Sequence, residues 1–169
     1  MTKNDKILNI GCGNSKLCED LSEEGYEDIT NVDFSTKVIN IMEQTYKEKF
    51  PKMQFKVADV LDMKEFQSGT FNTILDKGTL DCILCGDNSV PNAAKMMSEI
   101  YRLLAPGGHY MVITYGDPEV RKKYLETQQW ASLSVDKLAK PSAAVSATLN
   151  ADENDVKNFH YVYTMAKPK

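Results

Sequence analysis

The sequence predicts an α/β fold with a mostly parallel β-sheet and helices on both of its faces. Short β-rich apolar segments alternate with longer segments of helical spacing along most of the chain, and this order is typical of βαβ units. The first apolar segment leads directly into the glycine turn Gly11-Cys12-Gly13, as happens at the carboxyl edge of a parallel sheet. A chain of 169 residues suits one domain over its whole length, residues 1–169.

The apolar pattern predicts seven strands and four helices. Strands are predicted over residues 7–10, 29–33, 54–58, 73–76, 110–114, 131–137 and 159–165. The first predicted helix, residues 15–24, ends before Gly25, and Ser35 is the predicted N-cap of a second helix that Pro51 ends. Two further helices are predicted over residues 92–104 and 118–127. The connector over residues 139–157 is rich in small and acidic residues and predicts a mobile loop.

Charge and composition argue against several kinds of partner. The net charge is −4, and the densest basic run, Arg121-Lys122-Lys123, is short and follows two acidic residues closely. We therefore expect no nucleic-acid partner and interpret this run as a solvated helix face. No apolar stretch approaches the roughly 18 residues of a membrane span, and the amino terminus lacks the apolar core of a signal peptide. We expect a cytosolic or nuclear protein, with the cytoplasm as the simplest location, and no membrane partner; the sequence predicts no oligomeric state.

Four cysteines include one Cys-x-x-Cys pair, Cys82 and Cys85. Such a pair occurs in redox and zinc sites. A zinc site needs further ligands, and His109 and His160 lie in or beside strand-like runs. We therefore predict free thiols and no metal site.

The glycine turn and two aspartates predict one ligand groove. Gly11 and Gly13 carry no Cβ atoms that would keep a ligand away from the backbone. Asp33 ends the second predicted strand about twenty residues later, where a carboxylate can accept both ribose hydroxyls of an adenosine-containing ligand. Asp59 ends the third strand, within reach of an adenine amine. Each aspartate alone could be only a helix cap or turn former, but parallel strand ends share one sheet edge, so all of them fit one ligand.

Two other nucleotide-binding patterns fit less well. The dehydrogenase fingerprint Gly-x-Gly-x-x-Gly has a third glycine, and that position is Lys16 here. A P-loop requires Gly-x-x-x-x-Gly-Lys-Ser/Thr, which does not occur in this sequence.

These residues resemble the motifs of the class I S-adenosylmethionine (SAM)-dependent methyltransferases. The resemblance covers nearly the whole chain and includes the glycine turn, the acids at the strand ends and, most specifically, Leu103-Leu104-Ala105-Pro106-Gly107-Gly108 before the fifth strand. It implies a Rossmann-like, seven-stranded sheet whose last strand is antiparallel. It also implies SAM as cofactor, S-adenosylhomocysteine (SAH) as product, and cofactor contacts at Gly11, Cys12, Gly13, Asn14, Asp33, Phe34, Asp59, Val60, Asp76 and Lys77.

A narrower resemblance concerns the branch that contains the elongation-factor-1-alpha lysine methyltransferases. It rests on residues 10–15, on Asp76-Lys77-Gly78-Thr79-Leu80-Asp81 and on Tyr161-Val162-Tyr163. It implies a protein amine, a lysine or an amino terminus, as methyl acceptor. The branch usually carries a helical lid ahead of the first strand, and this lid segment is apparently absent here. A small-molecule methyltransferase and a non-catalytic SAM-binding subunit are the alternatives.

A lysine acceptor has an unperturbed pKa near 10.4, so its site must favour the neutral amine or accept a proton. Asp76 is the candidate for this catalytic role, because it ends the fourth strand beside the expected methyl position; a backbone clamp for the next turn is its alternative. The resemblance also implies that Thr79 and Leu80 lie near the cofactor. Tyr115 and Trp130 could face a cationic substrate, but core packing is the preferred prediction for both.

Overall fold

Seven strands and five helices make up the part of the chain that the computed structural model describes, residues 1–140 and 159–169. In chain order they are β1 Ile7–Ile10, α1 Leu17–Glu23, β2 Ile29–Asp33, α2 Thr36–Tyr46, β3 Gln54–Val57, β4 Phe71–Lys77, α3 Thr79–Cys85, α4 Ser89–Leu103, β5 Leu104–Thr114, α5 Pro118–Leu125, β6 Ser132–Ala139 and β7 Phe159–Ala166. None of the helices in these two stretches is long and apolar enough to cross a membrane.

All seven strands belong to one sheet, in the order β3-β2-β1-β4-β5-β7-β6. Strands β1 to β5 pair in parallel, whereas β7 is antiparallel to both β5 and β6. The predicted fold class, with its antiparallel last strand, is therefore confirmed. The chain winds outward from β1 to β3 and then returns to place β4 on the other side of β1. This reversal of strand order opens a crevice at the carboxyl ends of β1 and β4.

Successive side chains of a strand point to opposite faces of the sheet, and apolar side chains form a layer on each face. In β1, Leu8 and Ile10 pack in one cluster with residues of α3 and α4, including Leu80 and Met96. Ile7 points to the other face and packs with residues of α1 and α2. Helices thus cover both faces of the sheet, as the predicted succession of βαβ units implies.

Side-chain caps begin two of the predicted helices. Ser35 Oγ accepts a hydrogen bond from the Val38 backbone N–H (3.4 Å), which confirms the predicted N-cap of α2. Asp117 caps α5 by accepting from the N–H groups of Glu119 and Val120 at 2.9 and 3.2 Å. These acceptors satisfy N–H groups that have no partner within the helix.

The structure differs from the predicted elements in three places. Helix α3 was not predicted at all, and α4 begins at Ser89, three residues earlier than predicted. Pro91 lies in the first turn of α4, where the missing N–H costs no helical hydrogen bond. Residues 106–108, which were expected before the fifth strand, lie inside β5, where its pairing with β4 shifts register between Phe71 and Thr73. Most of the predicted loop, residues 141–157, lies outside the described residues.

Two predictions for individual side chains after β5 were wrong. Arg121 is only 5% exposed and is not part of a solvated helix face. Tyr115 is 52% exposed rather than packed in the core. The prediction for Trp130 is confirmed, because its ring packs on Tyr101 and Tyr110 at centroid distances of 5.2 and 6.4 Å.

Candidate functional site

A groove with a volume of about 370 Å³ opens at the carboxyl ends of β1, β2, β3 and β4 and along α3. Its walls come from the segments at the ends of these four parallel strands and from α3. The lining residues are Gly11, Gly13, Asp33, Phe34, Ala58, Asp59, Val60, Lys77, Gly78, Thr79, Cys82 and Ile83.

The two glycines of the turn after β1 serve different purposes. Gly11 has a φ of +56°, and a Cβ there would lie 2.2 Å from Thr79 Oγ1. That hydroxyl donates to the Ile10 carbonyl at 2.9 Å. Gly11 therefore lets α3 pack directly on the end of β1. Gly13 has a φ of +51° and nothing within 4 Å of its Cβ position, so its left-handed backbone leaves open space on the groove side.

Asp33 is held in place by two backbone N–H groups. Its Oδ2 accepts from Gly13 and its Oδ1 from Ser35, both at 2.9 Å. The residue is 8% exposed and lines the groove. Each oxygen of an ionised carboxylate has a second acceptor position, so Asp33 can still accept hydrogen bonds from two neighbouring ligand hydroxyls.

Two further lining residues are an exposed aromatic residue and an acid in a turn. Phe34 is 83% exposed although it is a large apolar residue, and its ring lines the groove. Asp59 is exposed, and its Oδ1 accepts from the Leu61 N–H at 2.9 Å. Asp59 is therefore a turn former and also a groove residue. An exposed ring beside hydrogen-bond acceptors suits a planar base with an exocyclic amine.

Asp76 lies beneath the groove rather than in it. It is 1% exposed, and its oxygens accept from Thr79 N–H (2.7 Å), Leu80 N–H (3.1 Å) and Tyr110 Oη (2.9 Å). Burial raises the pKa of Asp76 to about 6, against the lowering effect of these hydrogen bonds. The contacts are those of a clamp that begins α3, which was the alternative to catalysis; the catalytic role stays a prediction.

The other side of α3 carries a buried ion pair. Asp81 accepts hydrogen bonds from the Arg121 guanidinium, from Thr114 Oγ1 and, at 3.3 Å, from the Tyr115 N–H. Arg121 Nε also donates to Thr114 Oγ1 at 2.9 Å. We call Asp81, Thr114 and Arg121 the α3–α5 anchor, because they join α3, the end of β5 and α5.

Gly116 completes this anchor through its lack of a side chain. A Cβ at Gly116 would lie 2.3 Å from Arg121 Nε. Its carbonyl accepts from Tyr163 Oη at 2.9 Å, which ties β7 to the same segment. The guanidinium of Arg121 lies 5.2 Å from the ring centre of exposed Tyr115, so the anchor also fixes the ring that follows β5.

Seven of the ten predicted cofactor residues line the groove, and three do not. Asp76 is buried beneath it, Cys12 is 4% exposed and donates its N–H to the Val32 carbonyl at 2.9 Å, and Asn14 is exposed outside the lining. Sequence reasoning missed Cys82 and Ile83 because it missed α3. The spacing of Thr79, Cys82 and Ile83, at i, i+3 and i+4, could have placed them on one helix face.

All four cysteines are free, with Cys12 and Cys18 buried and Cys82 and Cys85 exposed. The prediction of free thiols is confirmed. Across residues 1–140 and 159–169, no group of three or more His, Cys, Asp and Glu side chains is arranged to hold a metal ion.

Comparisons with known proteins agree with this geometry. Residues 1–166 match a family described as "Methyltransferase domain". The eEF1A lysine and N-terminal methyltransferase of Danio rerio is 40% identical over 129 residues, which are 75% of this chain and 18% of that protein. The EEF1A lysine methyltransferase 4 of Mus musculus is 35% identical over 128 residues, 71% of this chain and 49% of that protein. This chain thus aligns with half or less of the length of either relative.

Among solved structures, the Haemonchus contortus phosphoethanolamine N-methyltransferase 2 in complex with SAM superposes with a TM-score of 0.72 at 16% identity. The superposition covers all of this chain and 50% of the Haemonchus contortus chain. At that identity the similarity concerns the fold. The family match over residues 1–166 and the confirmed sheet topology agree with each other, and on these grounds the chain belongs to the SAM-dependent methyltransferases.

Proposed function

We propose that this protein transfers the methyl group of SAM to an amine of a protein, a lysine side chain or an amino terminus. The single observation that carries the proposal is the groove at the carboxyl ends of β1, β2, β3 and β4, with Asp33 fixed by the Gly13 N–H. The choice of acceptor is supported by the names of the two relatives above: both state eEF1A lysine methylation, and the Danio rerio protein's name also states amino-terminal methylation.

The residues that line the groove fit SAM part by part. Asp33 would accept the ribose hydroxyls with its second acceptor positions, and the exposed ring of Phe34 would cover the adenine. Asp59 would accept from the adenine amine. Lys77 is the one basic side chain among the described lining residues, and it would pair with the carboxylate of SAM.

SAM carries a methyl group that its sulfonium already activates, so the protein contributes alignment and exclusion of water. The acceptor must lose its proton before it attacks. The positive sulfonium of bound SAM would disfavour a protonated acceptor beside it because like charges repel. Asp76 would act indirectly, because its oxygens already hold Thr79, Leu80 and Tyr110.

Calorimetric titration with SAM and SAH tests the cofactor site. Asp33→Ala removes the acceptors for two ribose hydroxyls, which we expect to weaken binding by about 3 kcal/mol, or roughly 100-fold. Asp28→Ala is the matched control, since Asp28 is an exposed carboxylate next to the other end of β2. Equal affinities for SAH in the two variants would refute the cofactor assignment.

Transfer of a tritium-labelled methyl group tests the acceptor. The protein is incubated with labelled SAM and either purified eEF1A or a cell extract. Label on a protein lysine or amino terminus supports the proposal. Label confined to small solutes would indicate a small-molecule methyltransferase, and SAH binding without any transfer would indicate a SAM-binding subunit.

A further inference from the structure

Helix α3 carries two exposed thiols, and only one of them lines the cofactor groove. Cys82 is a lining residue. Cys85 lies three residues further along the helix, outside the lining, with its Sγ 3.5 Å from Tyr115 Oη. The proposed methyl transfer uses neither thiol.

Cys82 lies on the wall of the space that SAM would fill. Cys82 shares a helix face with Thr79 and Ile83, one turn along from Thr79 and next to Ile83. All three line the same cavity of about 370 Å³ as Asp33 and Phe34. A group attached to Cys82 Sγ would therefore occupy volume that a bound nucleoside needs.

We propose that Cys82 is a thiol modification site, at which a small disulfide such as glutathione disulfide forms a mixed disulfide that excludes the cofactor. The inference rests on the proposed function only through its cofactor groove. The Cys82 thiol gives its proton to solvent, and the thiolate attacks one sulfur of glutathione disulfide. A new sulfur–sulfur bond forms, the original one breaks, and one glutathione leaves as a thiolate that takes up a proton.

The remaining thiols are either inaccessible or outside the groove. Cys12 and Cys18 are 4% and 0% exposed. Burial raises the pKa of Cys12 to about 12 and that of Cys18 to about 11, so both stay protonated, and a protonated thiol is a poor nucleophile. Cys85 is exposed and can react, but its adduct would extend beside Tyr115 rather than into the lining.

The test uses Cys85→Ser, which leaves Cys82 as the one exposed thiol among the described residues, and Cys82→Ser as its counterpart. Each protein is treated with glutathione disulfide, and the adduct is counted by intact mass. Treated Cys85→Ser should carry one glutathionyl group and lose SAH affinity at least 10-fold by calorimetry, and dithiothreitol should restore it. Saturating SAH should slow this modification at least 10-fold. Treated Cys82→Ser should bind SAH as well as the same variant before treatment.

Three results would overturn the inference. They are the absence of an adduct on treated Cys85→Ser, an adduct that leaves its SAH affinity unchanged, and a rate of modification that saturating SAH does not change. Failure of the proposed function gives a different result, because untreated Cys85→Ser would then already fail to bind SAH. In that case the proposal for Cys82 would also be refuted, since there would be no bound cofactor for the adduct to exclude.

Discussion

Replacement of Arg121 by methionine tests the energetic role of the α3–α5 anchor. The side chains of Arg121 and Asp81 are 6% and 10% exposed. Methionine keeps much of the side-chain length but removes the donors to Asp81 and Thr114. Asp81 would then be a buried carboxylate with one hydroxyl and one backbone N–H as its remaining donors.

The expected decrease in the free energy of unfolding is large, because the buried charge of Asp81 remains without its cationic partner. Breaking a buried ion pair in this way costs about 3–5 kcal/mol, out of a typical unfolding free energy of roughly 5–15 kcal/mol. Arg121→Lys keeps the charge but not the planar fork that reaches two acceptors, so we expect it to recover only part of the loss.

Urea unfolding followed by circular dichroism measures these free energies. Lys122→Met is the matched control, because Lys122 is the next residue of α5 and is exposed; we expect a change within about 0.5 kcal/mol. If Arg121→Met is no less stable than Lys122→Met, the anchor contributes nothing to stability and the reasoning is refuted.

Three further predictions concern the groove and its support. Gly11→Ala should lower the free energy of unfolding by about 2–4 kcal/mol, because of backbone strain at φ +56° and contact with Thr79 Oγ1. In a Thr79→Ala background, urea unfolding should show a smaller decrease. Equal decreases in the two backgrounds would contradict the contact. Phe34→Ala should weaken SAH binding in calorimetry and change the free energy of unfolding by less than about 0.5 kcal/mol. Ile41→Ala is the control, because Ile41 is 50% exposed and lies outside the groove; it should change neither quantity. Burial raises the folded-state pKa of Asp76 from 3.8 to about 6. The native state therefore binds the proton more tightly than the unfolded state does. As a result, the contribution of Asp76 to the free energy of unfolding decreases as pH rises from about 4 to about 6. This decrease, on the order of 3 kcal/mol, should appear as the difference in pH dependence between wild type and Asp76→Asn, and parallel profiles would refute it.

The strand ends of the groove could be predicted from the sequence because they depend on local patterns. A buried strand, a glycine turn and an acid after the next strand are visible within about 30 residues, and the register of Ile10 opposite Val32 then brings these ends together. Helix α3 was missed for a physical reason. Its N-cap position is Gly78, its first N–H groups are held by Asp76 within β4, and the run of helical residues is only seven long.

Arg121 could not be placed from the sequence because its partner is distant. It lies 40 residues from Asp81, and a charge pattern along one helix carries no information on such a pairing. The neighbouring lysines of the same run are exposed, as predicted. Gly116 leaves room for the Arg121 side chain, but only the folded structure identifies that need.

The structure gives α3 two supports, and their relation leads to a last prediction. At its beginning, the buried carboxylate of Asp76 holds two backbone N–H groups. Also in the first turn, Asp81 ties the helix to β5 and α5, and it does not line the groove. If both supports are needed to keep the groove wall in place, Arg121→Met should weaken SAH binding although Arg121 does not line the groove.

We expect this loss of affinity to be smaller than that of Asp33→Ala, because no contact with the cofactor is removed and only the position of the wall changes. Calorimetry at a temperature where circular dichroism shows a folded variant separates this effect from unfolding, and Lys122→Met again provides the control. Unchanged affinity in Arg121→Met would mean that the Asp76 clamp alone fixes the wall. The anchor would then act on the segment after β5, where Tyr115 is exposed, and any effect on catalysis would have to appear in the KM for the acceptor.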